Sequence, residues 1–319
     1  MRAIQVTALS GPGGLRLAEA ADPSGEVVME VHAAGVSFPD LLLSKGEYQD
    51  CPELPFIPGV EVAGVVREAR PGSGLSAGDR VAAFVRRGGW AELAACRAGF
   101  VFPLPADVSY REAAALPLNY LTVHLALLRR ARLCRGESVL VLGASGGIGT
   151  AAIQVAKAMG ARTIAVSSSQ AGAEAAARAG ADETVSGEDW AAQAQELTGG
   201  SGADVVLDPV GGPVFEAALR LVKREGRLLV IGFASGTIPS VRVNRLLLRN
   251  IDLVGVAWGP TVRAEPGYPA KQWAELMSLH ARGYIAPVLG RTYDLADAAQ
   301  ALRELEDGSA TGKLTLRVR

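Results

Sequence analysis

The chain has 319 residues, 49% of them hydrophobic, with 32 Lys and Arg against 33 Asp and Glu and a formal net charge of −1. That length allows two domains with separate cores, and the balance of charge excludes the basic field on which nucleic-acid binding depends. No apolar run approaches the ~20 residues that cross a bilayer, residues 1–11 lack the apolar core of a secretory signal, and the scattered Cys51, Cys96 and Cys134 fit reduced thiols in a cytoplasm.

Residues 1 to about 120 are rich in Gly and Pro, with short β-branched runs at Val27–Val31, Val60–Val66, Arg80–Phe84 and Phe100–Phe102. Turns such as PGSGLSAGD punctuate them, so this portion is expected to be all-β. From Tyr110 the texture becomes helical, with an alanine-rich Glu112–Leu116 and an apolar face along Leu118–Arg132. A strand–helix alternation follows. Strands are expected at Ser138–Leu142, Thr163–Ser167, Val205–Asp208, Arg227–Ile231 and Ile251–Val256, and helices at Ile148–Met159, Ala171–Ala179, Trp190–Leu197 and Val214–Leu221. Such alternation predicts a doubly wound parallel sheet covered on both faces. Beyond Pro266 come helices at Ala270–Arg282 and Leu295–Glu306 and a closing strand, Lys313–Val318. That strand has no partner in the α/β portion, so it is expected to return to the N-terminal β domain, with the strand–helix portion inserted between. The predicted domains are 1–120, 121–262 and a return segment, 263–319.

The stretch VLVLGASGGIGTAAIQVAKAMGA, Val139 to Ala161, reads as strand, glycine turn and helix. Its glycines at Gly143, Gly146 and Gly149, with Gly147 as an extra, do not follow the strict GxGxxG spacing. Their place between an apolar strand and an amphipathic helix is what points to a dinucleotide: small residues let the backbone approach a pyrophosphate, and the helix N-terminus offers unpaired N–H groups. Ser145 and Ile148 lie in the same turn. The next strand ends in Ser167, Ser168 and Ser169, and no Asp or Glu occurs between Ser138 and Ala173. An acid there would bind the adenosine ribose hydroxyls of NAD; its absence, with three hydroxyls in its place, suits a 2′-phosphate and therefore NADPH.

A series of motifs in fixed order, including HAAGVSFPDLLLSKGEY, LPFIPGVEVAGVV, AGDRVAAF, LTVHLAL, LGASGGIGTAAIQVAKAMGA, DVVLDPVGG, GRLLVIGFASG and TGKLTLRV, runs almost end to end. In these the chain resembles the medium-chain dehydrogenase/reductase superfamily, in its zinc-free quinone oxidoreductase branch, which includes zeta-crystallin. The resemblance implies a GroES-like β domain with an inserted Rossmann domain, NADPH as cofactor, a quinone or other conjugated carbonyl as acceptor, and a homodimer or tetramer. Zinc-dependent relatives carry a Cys after the first glycine turn, a GHE motif and a four-Cys lobe; this chain has Ser37, Val60 and no cysteine cluster, and His32, His124 and His280 stand apart. No metal is expected. Without a Lewis acid, an acceptor that spreads incoming charge onto its own carbonyl is the easier substrate.

The resemblance also nominates residues. Tyr48 aligns with a tyrosine at the active-site mouth, and Ser37 and Asp40 lie in the nicotinamide-side turn, with Leu42 where several relatives carry a second tyrosine. Thr122 matches a threonine facing the nicotinamide. Asp208, Val210 and Gly211 lie in the turn at the end of the strand Val205–Asp208; Gly232, Phe233 and Ala234 follow the strand Arg227–Ile231; and Trp258 is a candidate for the acceptor pocket. For the 2′-phosphate, relatives use a small residue, a lysine and often a tyrosine; here those positions hold Ser168, Gly172 and Gly187. Two rival readings stand beside a quinone or enone reductase. One is an enoyl-thioester reductase, for which Arg86, Arg87, Arg129, Arg130 and Arg132 would form a basic rim. The other is a non-catalytic, NADPH-binding, crystallin-like protein. Dimerisation is expected along the edge strand Ile251–Val256 with Leu246–Leu248, because two-fold pairing covers an apolar edge.

Overall fold

A computed structural model describes residues 1–319. The chain forms two compact units, Met1–Leu118 with Pro266–Trp273 and Leu289–Arg319, and Asn119–Glu265 with Ala274–Val288. The first opens with an antiparallel hairpin, β1 (Arg2–Val6) and β2 (Leu15–Glu19). There follow β3 (Val27–Gly35), α1 (Phe38–Lys45), β4 (Glu61–Ala69), β5 (Arg80–Phe84), β6 (Leu93–Cys96) and β7 (Val101–Pro103). Next come α2 (Tyr110–Ala113) and α3 (Pro117–His124). The helix α1 starts where Pro39 presets the first turn and the Asp40 carboxylate reaches back to the Ser37 N–H at 2.9 Å. It ends at Gly46, whose φ of 73° suits the left-handed cap.

The second unit alternates strand and helix: β8 (Ser138–Val141), α4 (Gly147–Ala158), β9 (Arg162–Ser167), α5 (Gln170–Arg178), β10 (Glu183–Ser186), α6 (Trp190–Leu197), β11 (Ala203–Asp208), α7 (Val214–Arg220), β12 (Val222–Val230), α8 (Asn244–Arg249), β13 (Asp252–Gly255) and α9 (Trp258–Ala264). Its six strands are all parallel, in the order β10-β9-β8-β11-β12-β13. This is the doubly wound arrangement, with its reversal of winding between β8 and β11, the place where such sheets bind ligands at their carboxyl ends. The core residues Leu140, Val206 and Leu228 on three adjacent strands are no more than 1% exposed, which is why those strands read as continuous apolar runs.

Two differences from the expected elements have physical causes. The strand β10 escapes notice because ETVS offers only one fully buried residue, Val185. The expected helix Leu118–Arg132 is α-helical to His124 and then π-helical over Leu125–Arg130, a widening that side-chain periodicity does not announce.

The chain closes with α10 (Tyr268–Ala281), β14 (Leu289–Asp294), α11 (Ala298–Glu306) and β15 (Lys313–Arg317). As expected, the last strand returns to the β domain: β15 pairs antiparallel with β3, Thr315 opposite Gly35, and parallel with β14. The resulting seven-stranded sheet runs β14-β15-β3-β4-β5-β7, with β6 also on β3. The segment Ala274–Val288 packs instead in the second unit, where Gln154 donates to the Ala286 carbonyl at 2.7 Å and His124 meets the Glu275 carboxylate at 2.7 Å.

Candidate functional site

In the second unit the glycine turn sits at the carboxyl end of β8, and each glycine has a different task. Gly143 takes φ 56°, open to few other residues. Gly149 faces the turn itself: a Cβ there would lie 2.3 Å from the Gly143 carbonyl oxygen and 2.5 Å from the Ala144 Cα. Its hydrogen is therefore a packing requirement. Gly146, the N-cap of α4, is the opposite case, since a Cβ there would meet only the Gly143 carbonyl, at 3.5 Å. The space above Gly146 is open to a ligand. Beside it lie the first-turn N–H groups of Gly147, Ile148 and Gly149, which have no intrahelical acceptor. Ser145, Gly146, Gly147 and Ile148 are all partly exposed. A twelve-residue helix with free N–H groups and a side-chain-free approach can hold a pyrophosphate.

The three serines after β9 separate in role. Ser169 caps α5, accepting from the Gly172 N–H at 3.2 Å. Ser168 is exposed. Ser167 is 4% exposed and its hydroxyl has no partner, and a buried orphan of this kind calls for a ligand or ordered water. Gly172 does not face solvent: a Cβ on it would stand 3.1 Å from the Cβ atoms of both Ser145 and Ser167. Gly172, named above as the lysine's place, is thus turned into the serine pair, with no open path for a lysine stem. Arg178 is exposed in the last turn of α5, about 13 Å from the cap at 1.5 Å per residue.

Asp208 is turned inward at the end of β11. It is 1% exposed and its Oδ1 accepts from the N–H groups of Val210 and Gly211, at 2.8 and 2.9 Å. Burial raises its pKa despite those two donors. Its work is to hold the turn in which Gly211 and Gly212 both take positive φ. The Pro209 and Val210 carbonyls then accept from Ala234 and Ser235, at 3.1 and 2.9 Å, which ties this turn to the loop of Gly232, Phe233 and Ala234. Gly232 and Phe233 are partly exposed and Ala234 is exposed. Thr122, on α3, is 7% exposed. Trp258 is 4% exposed at the start of α9, so its ring has little surface to offer an acceptor.

The first unit holds a second polar centre of different construction. Ser37 Oγ donates to Glu61 Oε1 at 2.7 Å and accepts from Lys313 Nζ at 2.6 Å, and Lys313 also pairs with Glu61 directly. Glu61 Oε2 accepts from the Leu118 N–H at 2.8 Å. Asp40 completes the cluster, its oxygens taken by the N–H groups of Ser37 and Gly59, both at 2.9 Å. Ser37, Asp40, Glu61 and Lys313 are each 5% exposed or less. Burial pushes the Asp40 carboxyl up to about 7, against the pull of the Lys313 ammonium. The single proton of Ser37 is committed to Glu61, and Asp40 faces backbone. Of the three residues named from the sequence for catalysis, only Tyr48, 39% exposed beyond the α1 cap, presents surface to solvent. Leu42 is half-buried on α1. Glu61 and Lys313 escape sequence reasoning because the nearest signals, GVE and TGK, carry no hint that they meet.

The three histidines stand in separate surroundings. His32 lies against Tyr110, ring centroids 4.4 Å apart, with its pKa lowered by burial and then by Arg319. His124 is engaged by Glu275, and His280 by the Ile285 carbonyl at 2.9 Å. No three His, Cys, Asp or Glu side chains gather where they could hold a metal ion, and at Ser37 the nearest cation is an ammonium.

An all-β unit closed by the chain's last strand, together with a parallel sheet whose glycine turn opens a helix, defines a dehydrogenase or reductase of the medium-chain type. Residues 23–106 match the alcohol dehydrogenase GroES-like domain and residues 147–281 the zinc-binding dehydrogenase model. The bovine (Bos taurus) quinone oxidoreductase-like protein 2 is 36% identical over 92% of this chain and 85% of its own length. A probable oxidoreductase from Mycobacterium abscessus is 46% identical with a TM-score of 0.92, over 100% of this chain and 99% of that one. The quinone oxidoreductase of Thermus thermophilus, solved also in complex with NADPH, is 37% identical with a TM-score of 0.87 over the whole of both chains. The chain belongs to the quinone oxidoreductase family of the medium-chain dehydrogenases/reductases. No helix is long and apolar enough to cross a membrane.

Proposed function

We propose that the protein is a metal-free, cytoplasmic reductase that uses NADPH to reduce a quinone or another conjugated carbonyl. The observation that carries this reading is the open, side-chain-free approach over Gly146 to the first-turn N–H groups of α4, in a family whose Thermus thermophilus member was solved with NADPH. The reduced nicotinamide supplies a hydride when bound. The chain's own residues do the rest. Backbone N–H groups of Gly147, Ile148 and Gly149 hold the pyrophosphate, Ser167 and Ser168 receive the 2′ end of the adenosine, and the loop of Gly232, Phe233 and Ala234 with Thr122 orients the nicotinamide. Tyr48 donates a hydrogen bond to the acceptor oxygen, stabilising the charge that arrives there. Exposed Cys51 and Cys134, both unpaired, fit a reducing compartment.

The enoyl-thioester reading loses support from its own rim. Arg86 is neutralised by Asp50, and Arg129 makes a two-pronged pair with Glu265 at 2.7 and 3.0 Å. The protein is expected to act as a homodimer paired along β13, which has a neighbour on one side only; Leu247 and Leu248 before it are 75% and 71% exposed. Sedimentation at micromolar concentration tests this, and a monomer would contradict it. The experiment for the activity is NADPH oxidation across ortho-quinones, para-quinones, enones and enoyl thioesters. Turnover is expected with the quinones and enones. Oxidation with thioesters alone, or with none, would overturn the reading.

A further inference from the structure

The Lys313–Glu61–Ser37 cluster does more than join two strands. Each member comes from a different element: Ser37 precedes α1, Glu61 opens β4 and Lys313 opens β15. The site is built for the carboxylate, because Gly35 leaves the room it needs: a Cβ on Gly35 would lie 2.6 Å from Glu61 Cγ and 2.7 Å from its Oε1. The carboxylate then faces two ways. One oxygen takes the Ser37 hydroxyl and the Lys313 ammonium, and the other takes the Leu118 N–H. Leu118 is in the first turn of α3, where the N–H groups lack intrahelical acceptors and the helix dipole favours an anion. The same helix runs on to Thr122.

We propose that Lys313 is a positioning residue: with Glu61 and Ser37 it forms a buried charged hub that fixes the starts of both α1 and α3, and so sets the helix that carries Thr122 for hydride transfer. The Lys313 ammonium pairs with the buried Glu61 side chain, whose second oxygen caps α3, and the Ser37 hydroxyl between them locks the turn into α1. The catalytic part of this inference rests on the role given to Thr122 above; the structural part does not.

Lys313→Met alone leaves a buried carboxylate unpaired and can fail to fold, so the deciding variant is Lys313→Met with Glu61→Gln, which removes both charges together. Amide hydrogen exchange on the full chain, without cofactor, is expected to quicken at least tenfold at 36–41 and 118–122 while Val205–Leu207 in β11 stay unchanged. Single-turnover NADPH oxidation by para-benzoquinone is expected to slow at least tenfold, with NADPH affinity, read by fluorescence titration, within twofold of the parent. Lys313→Arg, which keeps the charge, should recover both to within threefold. Exchange that is unchanged, or that rises evenly through both units, overturns the hub, and an undiminished hydride-transfer rate overturns its catalytic part. If the parent protein neither binds NADPH nor reduces the quinone, the proposed function fails instead, and the exchange measurement alone decides the hub.

Discussion

The two polar centres solve opposite problems. The turn after β8 is made of backbone: glycines supply space, a helix end supplies donors, and the site stays open because its ligand must enter. The cluster of Ser37, Asp40, Glu61 and Lys313 is made of charged and hydroxyl side chains, is sealed from water, and satisfies itself internally. The comparison teaches that buried polar groups with a full set of partners build a frame, whereas unpartnered donors and an orphaned hydroxyl, as at Ser167, mark where something else binds.

The contrast is broken most severely at Gly149. Any side chain there collides with backbone at 2.3 Å, so Gly149→Val should cost about 3 kcal/mol or more of stability. This differs from the expectation for a residue that merely touches pyrophosphate; thermal unfolding checks it, and an unchanged melting temperature would show the turn to be pliant. At Gly146 the same comparison predicts the reverse. Gly146→Asp should fold with a stability change below about 1 kcal/mol yet lose NADPH affinity about a hundredfold or more, because a carboxylate would enter the space meant for pyrophosphate. Melting and fluorescence titration on the same sample separate the two effects.

Ser168 sharpens the comparison at the far end of the cofactor. A charge-assisted hydrogen bond to phosphate is worth about 1.5–3 kcal/mol, roughly ten- to a hundredfold in affinity. With hydroxyls and no facing lysine, the preference for NADPH over NADH should be modest, and Ser168→Asp should reverse it. Gly172→Lys is not the complementary gain: its stem would press on Ser145 and Ser167, so it should lower stability without widening the preference. Competing titrations of both cofactors test all three proteins.

The sealed centre is read out by pH. Asp40 has its folded pKa raised to about 7 by burial. A raised carboxyl contributes stability that is complete below the unfolded pKa, near 4, and is lost as the pH rises through about 7. The loss should run on the order of 1 kcal/mol per pH unit across that window, and Asp40→Asn should remove it. Denaturant unfolding of both proteins between pH 4 and 8 gives the difference; parallel curves would contradict the assignment.

How much of this was legible in the sequence follows from distance along the chain. The glycine turn, the strand–helix alternation and the return of the last strand are carried by local patterns or by an apolar strand left without a partner. Edge elements with mixed exposure, β10 and β14, left no such pattern. The cluster was half visible: Ser37 and Asp40 stood out as members of a turn, but their partner Lys313 lies 276 residues from Ser37, and only the pairing of β15 with β3 brings it near. The inward face of Gly172 was hidden for the same reason, since counting residues does not tell which side of α5 they take.

The central claim is that the open turn after β8 holds NADPH in preference to NADH. Competing fluorescence titrations of both cofactors on the unmodified protein test it most directly. The account predicts saturation at one NADPH per chain and a tighter fit than NADH by up to about tenfold, or about 1.4 kcal/mol; failure of NADPH to saturate, or equal or tighter binding of NADH, would contradict it.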